Sequence, residues 1–107
     1  MFSIKHNKIT LTRGDTLIAA ISMTKDGESY TPVDGDVVRF AMKEKYSDAE
    51  VLITKTIPND TLVLRLEPAD TKPLAFGSYV YDIQITFADG TVDTFITGTL
   101  TLTEEVD

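Results

Sequence analysis

The sequence predicts an all-β domain in which two antiparallel sheets pack face to face. Apolar side chains alternate with polar ones along most of the chain, which is the period of a half-buried strand. Turn-forming dipeptides separate these runs at a spacing of roughly ten residues, and no helical period extends over ten residues. The 107 residues suffice for one core, so residues 1–107 are expected to form a single sandwich domain of seven to eight strands.

Each predicted strand is an alternating run bounded by turn residues. In chain order the runs are 4–11, 17–23, 37–43, 51–57, 62–66, 79–87 and 91–103. The turns contain Asp26-Gly27, Asp34-Gly35, Asn59-Asp60 and Asp89-Gly90, where backbone tolerance of positive φ is useful. One helical turn is expected near 68–72, because proline suits a first helical position and Pro73 would end the turn.

The last run is too long for a straight strand in a domain of this size. At about 3.3 Å per residue, residues 91–103 would extend about 43 Å. Glycine inside a strand often marks a bulge, so a bend or bulge is predicted at Gly98. Such a bend would let one segment contribute to both sheets.

Composition and charge exclude several classes of protein. Hydrophobic residues make up 42% of the chain, and it contains no cysteine, which excludes disulfides and thiolate metal sites. The net charge is −7, and no basic cluster is present to bind a phosphate backbone, so no nucleic-acid partner is expected. No run approaches the roughly 20 apolar residues that span a bilayer, and none resembles a signal peptide, so no membrane partner is expected.

No catalytic, cofactor-binding or metal-binding residue is predicted. His6 is the only histidine, and it lies in a predicted turn without a Gly-x-Ser-x-Gly motif for a nucleophile. Most aspartates lie in turns, where their side chains bond to nearby backbone. Asp34 and Asp36 with Asp26 form the only plausible calcium cluster, but they lack the spacing of an EF-hand, and turn chemistry is the preferred interpretation.

The C-terminal third of the chain is acidic and contains the candidate interaction residues. After Lys72 there is no Lys or Arg, while six carboxylates follow. Phe95 shares the odd face of the last run with Asp93 and Thr97, and an aromatic on a polar face indicates an interface. A bulge at Gly98 could instead place Phe95 in the core, and both alternatives stay open. The predicted contact residues are Asp93, Phe95, Thr97, Glu104 and Glu105.

A local motif suggests the type of sandwich. Asp70-Thr71 and a short corner precede Gly77-Ser78-Tyr79, and this arrangement resembles the tyrosine corner of immunoglobulin-like domains. The resemblance implies that the Tyr79 hydroxyl bonds back to the corner backbone. Asp70, Tyr79 and Gly98 are therefore predicted to be structural residues.

Other motifs carry a second resemblance: residues 11–17 (LTRGDTL), 26–30, 35–40, 67–71, 77–82 and 89–94. Together they are similar to small phage and prophage structural proteins, including the N-terminal domain of baseplate upper proteins. The resemblance implies an immunoglobulin-like sandwich that takes part in virion assembly without an enzymatic role. The chain ends at Asp107, without trunk or receptor-binding regions, so an adaptor or decorating role is expected.

The predicted function is a non-enzymatic tail or baseplate assembly module with no cofactor. Its partners would be other phage structural proteins or a second copy, and it would reside in the bacterial host cytoplasm during assembly and possibly in the virion. The alternative is a small-ligand or carbohydrate-binding sandwich, for which Tyr30 and Tyr46 are the aromatics left in loops. An inhibitor of host functions is a third possibility.

Overall fold

Strands dominate the structure, which is a computed structural model describing residues 2–5, 7–25 and 27–104. Within these residues there are ten strands and one short helix. The elements are β1 (Phe2–Lys5), β2 (Lys8–Thr12), β3 (Leu17–Ala20), β4 (Thr24–Lys25), β5 (Glu28–Ser29), β6 (Val37–Lys43), β7 (Ile53–Ile57), β8 (Val63–Leu66), α1 (Pro68–Thr71), β9 (Gly77–Thr86) and β10 (Val92–Thr103).

The strand count exceeds the predicted seven to eight for two reasons. The opening run divides into β1 and β2 around a turn in which Asn7 has a φ of 66°. The two-residue strands β4 and β5 flank the predicted turn at residues 26–27. No helix in the described part of the chain is long and apolar enough to cross a membrane.

Six strands form one large sheet in the order β1-β2-β10-β9-β6-β7. Its neighbours are antiparallel except β2 and β10, which run parallel from the Lys8–Thr99 pair to the Thr12–Thr103 pair. The expectation of purely antiparallel sheets is therefore wrong at this pair. A tight hairpin imposes antiparallel pairing, whereas β2 and β10 come from opposite ends of the chain and are not so constrained.

Two smaller pairs complete the strands: β3 with β8, and β4 with β5. Leu17 and Ala19 of β3 are buried, as are Leu64 and Leu66 of β8. These four side chains join the buried residues of the large sheet in a single hydrophobic cluster. The alternation seen in the sequence thus marks the strand faces that form the core.

The predicted helical turn is confirmed as α1, which starts at Pro68. The Glu67 amide donates to Oδ2 of Asp70 at 2.7 Å, so this side chain satisfies a backbone donor that the helix leaves unpaired. Lys55 Nζ lies 2.9 Å from the same oxygen and ties the turn to β7. Asp70 thus links the backbone before α1 to β7.

The hydrogen bond predicted for Tyr79 is also present. Its hydroxyl donates to the Ala75 carbonyl at 2.6 Å, across the corner between α1 and β9. The corner is further held by the Gly14 amide, which donates to the Thr71 hydroxyl at 2.9 Å. Burial raises the pKa of Tyr79 above its usual value, and the nearby Glu44 carboxylate raises it further.

The predicted bulge at Gly98 is wrong in position, because the register between β9 and β10 shifts between Thr94 and Ile96. Gly98 itself pairs regularly with Tyr81. A side chain there would place its Cβ 2.1 Å from the Asn7 carbonyl oxygen. Glycine at this position therefore permits the close approach of the β1–β2 turn, which Tyr81 holds by donating to the same oxygen at 2.8 Å.

Candidate interaction site

The bulge decides which side chains of β10 face away from the core. Phe95 is the extra residue, so the alternation changes phase there. Before the bulge Val92 and Thr94 pair with outward-facing residues of β9, and after it Thr97 does so. We call the face turned away from the core the outer face of the large sheet.

The predicted interaction residues therefore do not share one face. Asp93 pairs with the buried Ile85, so it lies on the core side of the sheet, yet it is exposed at the end of the strand. Phe95 is half-buried and packs against the core. Thr97 is exposed on the outer face. The arrangement is closer to the alternative in which a bulge turns Phe95 inward, although that bulge lies three residues earlier than predicted.

An exposed apolar row lies at the end of the outer face. Val92 of β10 and Val37 of β6 both pair with Thr86, which lies between them on β9. Their exposures are 55% and 48%, high for aliphatic side chains within a sheet. Val37 faces away from the core because it alternates with the buried residues of β6. Val92 reaches the same face only because of the bulge in β10. We call Val37, Thr86, Val92, Thr94 and Thr97 the docking surface.

Hydroxyl side chains line β10 along this face. The row continues after Thr97 with Thr99, Thr101 and Thr103, because their partners in β9 and β2 also face away from the core. Neighbouring hydroxyls approach one another, with Ser78 Oγ 3.2 Å from Thr101 Oγ1. β-branched side chains have few rotamers to lose, so such a face can be covered at low entropic cost.

Charge on β9 and β10 is entirely negative in the described residues. Residues 77–104 contain four carboxylates and no cationic side chain: Asp82, Asp89, Asp93 and Glu104. Glu104 is exposed, as predicted for a contact residue. Glu105, the fifth predicted contact residue, lies outside the described residues. These carboxylates would attract a basic partner, whereas Arg39 and Lys43 of the neighbouring β6 add positive charge to the outer face beside β9.

The proposed calcium cluster has a different role at Asp36. This buried carboxylate accepts hydrogen bonds from the Tyr30 hydroxyl at 2.6 Å and from the Val33 and Ala88 amides at 3.0 and 3.2 Å. It thus joins the loop before β6 to the β9–β10 hairpin. Among residues 2–5, 7–25 and 27–104 no group of three potential metal ligands converges. Asp26 and His6 lie outside these ranges.

The contacts of Tyr30 are relevant to the carbohydrate-binding alternative, for which Tyr30 and Tyr46 are the proposed aromatics. The Tyr30 ring packs edge-to-face on Phe87, with centroids 5.8 Å apart. The hydrogen bond to Asp36 raises the pKa of Tyr30, and burial and the carboxylate charge raise it further. Tyr30 thus supports the loops. Tyr46, at 65% exposure, is the more accessible of the two proposed aromatics.

Comparison of the chain with protein-family models, curated proteins and solved structures finds no match.

Proposed function

We propose that the chain is a non-enzymatic assembly module of a phage or prophage tail or baseplate. It acts by protein–protein contact through the docking surface, in the host cytoplasm during assembly and then in the particle. The observation that carries the proposal is the row Val37-Thr86-Val92, where two half-exposed valines flank a threonine on three neighbouring strands. Exposed apolar side chains grouped within a polar rim are typical of interaction sites.

The sequence motifs supply the phage context, and the strand pairing is compatible with the fold they imply. We infer an immunoglobulin-like sandwich in which β3 and β8 occupy the places of strands B and E. In this assignment the opposite sheet contains strands C′, C, F and G of the immunoglobulin fold, which correspond in that order to β7, β6, β9 and β10. The hydrogen bond from Tyr79 to Ala75, near the start of the F-like strand, supports the same assignment.

The net charge of the chain favours one kind of partner. A second copy would bring a further net charge of −7, and like charges at an interface weaken association. A tail protein with a net positive charge would instead be attracted to this chain. The partner is therefore proposed to be a different structural protein rather than another copy of this chain.

The test is genetic complementation in the phage or prophage that encodes the chain. Deleting the gene should reduce infectious particles at least about tenfold, and Val92→Lys should reproduce the defect because it places a charge in the docking surface. Ile18→Lys is the matched control, since Ile18 is 48% exposed on β3 and outside the docking surface. Thermal melting establishes that both variants fold.

Two results would reject the proposal. One is a deletion strain that yields particles in normal number and infectivity. The other is an equal effect of Val92→Lys and Ile18→Lys when both proteins are folded.

A further inference from the structure

An apolar groove separates the β3–β8 pair from one side of the large sheet. Its volume is about 310 Å³. The turn before β2 closes one end, and side chains from both sheets form its walls: Ile9, Ala19, Ile21, Leu64, Ile83 and Ile96. Ile21 and Ile96 are only partly buried, so the groove is accessible from outside.

Two strand edges border this groove without a partner among the described residues. β10 pairs with β2 only from Thr99 to Thr103, so the edge of residues 92–97 that faces away from β9 has no neighbouring strand. β3 pairs with β8 along Leu17–Ala20, and no described strand pairs with its other edge. Six residues of β10 span roughly 20 Å, enough for one short strand.

The turn between β1 and β2 explains why the chain does not fill the groove itself. The Asn7 carbonyl oxygen is fixed by the Tyr81 hydroxyl, and the turn sits against Gly98. From there β1 runs back along the far side of β2. The N-terminal strand thus runs along β2 and leaves the β3 edge unpaired among the described residues.

We propose that the groove accepts one extended segment of a partner protein as an added β-strand; this rests on the proposed function and names its binding mode. The backbone of the segment would pair with an open edge, and alternate side chains would enter the groove. The lining side chains are apolar except for Asn7, Ser22 and Tyr81, and none is charged, so the entering side chains would be small and mostly apolar. The carboxylates of β9 and β10 favour Lys or Arg at the ends of the segment.

The test uses the synthetic peptide KTVTVTVK and the full-length chain labelled with ¹⁵N. Titration should shift the backbone amides of residues 19–22 and 94–97 with saturation. The peptide ETVTVTVE, with reversed end charges, should bind at least about fivefold more weakly because the groove lies beside acidic strands. The peptide KTVPVPVK, in which proline replaces the two inner threonines and removes their backbone donors, should also bind more weakly.

Variants locate the contact. Ile96→Lys should weaken KTVTVTVK binding at least about tenfold by placing a charge in the groove. Ile21→Lys, at a partly buried position that lines the groove, gives the same test if the first variant fails to fold. Ile18→Lys, directed outward from β3, should change the affinity less than about twofold.

Absence of saturable shifts up to about 5 mM peptide would overturn the proposal. Shifts confined to other residues would do the same. If the groove binds no peptide but Val92→Lys still reproduces the assembly defect, only the strand-addition mode is rejected. If KTVTVTVK binds in the groove while deletion of the gene has no effect on particles, the phage assignment fails and the site stands.

Discussion

Asp36 should be a main determinant of the stability of the loop end of this domain. It is 6% exposed, and its carboxylate accepts three hydrogen bonds from separate segments. The donors are the Tyr30 hydroxyl, the Val33 amide and the Ala88 amide. Asp36→Ala removes the acceptor for all three while leaving the backbone in place.

The magnitude follows from the number and type of these bonds. A hydrogen bond to a charged group contributes about 1.5–3 kcal/mol, but donors near the surface recover part of this from water. Because all three donors are only partly buried, we expect the free energy of unfolding to fall by about 2–4 kcal/mol. For a domain of this size that corresponds to roughly 8–16 °C in Tm.

Urea denaturation followed by circular dichroism measures the loss directly. Asp34→Ala is the matched control, because Asp34 is an exposed aspartate two residues away and should change stability by less than about 0.5 kcal/mol. Asp36→Asn should lie between the two, since an amide keeps the shape but has one acceptor oxygen. Equal stabilities for Asp36→Ala and Asp34→Ala would refute the reasoning.

Two further predictions concern Gly98 and the buried tyrosines. Gly98→Ala should lower the free energy of unfolding by about 1–3 kcal/mol, because the added Cβ would overlap the Asn7 carbonyl oxygen. Thr99→Ala on the outer face is the control and should be nearly neutral. Thermal melting compares the two variants, and similar midpoints would contradict the steric argument. Burial raises the pKa of Tyr79 and of Tyr81, so the folded state retains protons that the unfolded state releases above about pH 10. The stability that the two protonated tyrosines contribute to the folded state is fully present below pH ~10 and is lost as the pH rises through their folded-state pKa values. Tyr79→Phe should therefore reduce the slope of the free energy of unfolding against pH, measured by urea titrations at pH 9–12. An unchanged slope would count against this account.

The strands with strong alternation could be predicted from the sequence, and the sheet edges could not. In β6 and β9 each inward position carries a large apolar side chain, so burial alone fixes their existence and facing. The hairpin at Asp89-Gly90 is local, and the Phe87 amide donates to the Thr91 carbonyl as such a turn requires. The parallel pairing of β2 with β10 joins distant segments, and no local pattern encodes it.

The candidate site shows the same division between local and non-local information. Thr97 and Glu104 were correctly expected at the surface, because polar residues in a late strand have a simple interpretation. Phe95 turns towards the core and Val92 away from it, since one inserted residue reverses every facing on one side of it. Strand propensity favours valine and phenylalanine alike, so composition gave no sign of where the insertion lies.

The bulge at Phe95 also bears on how an open strand edge can be specific. A regular exposed edge would pair with almost any extended chain. The extra residue at Phe95 interrupts the hydrogen-bonding repeat of β10 and increases its local twist, while Asp93 places a carboxylate beside the opening. An unrelated strand would therefore meet a mismatched backbone and uncompensated negative charge. A segment that accommodates the bulge, fills the groove and supplies a cation would be favoured on all three counts, so a feature that weakens pairing in general strengthens the selection of one partner.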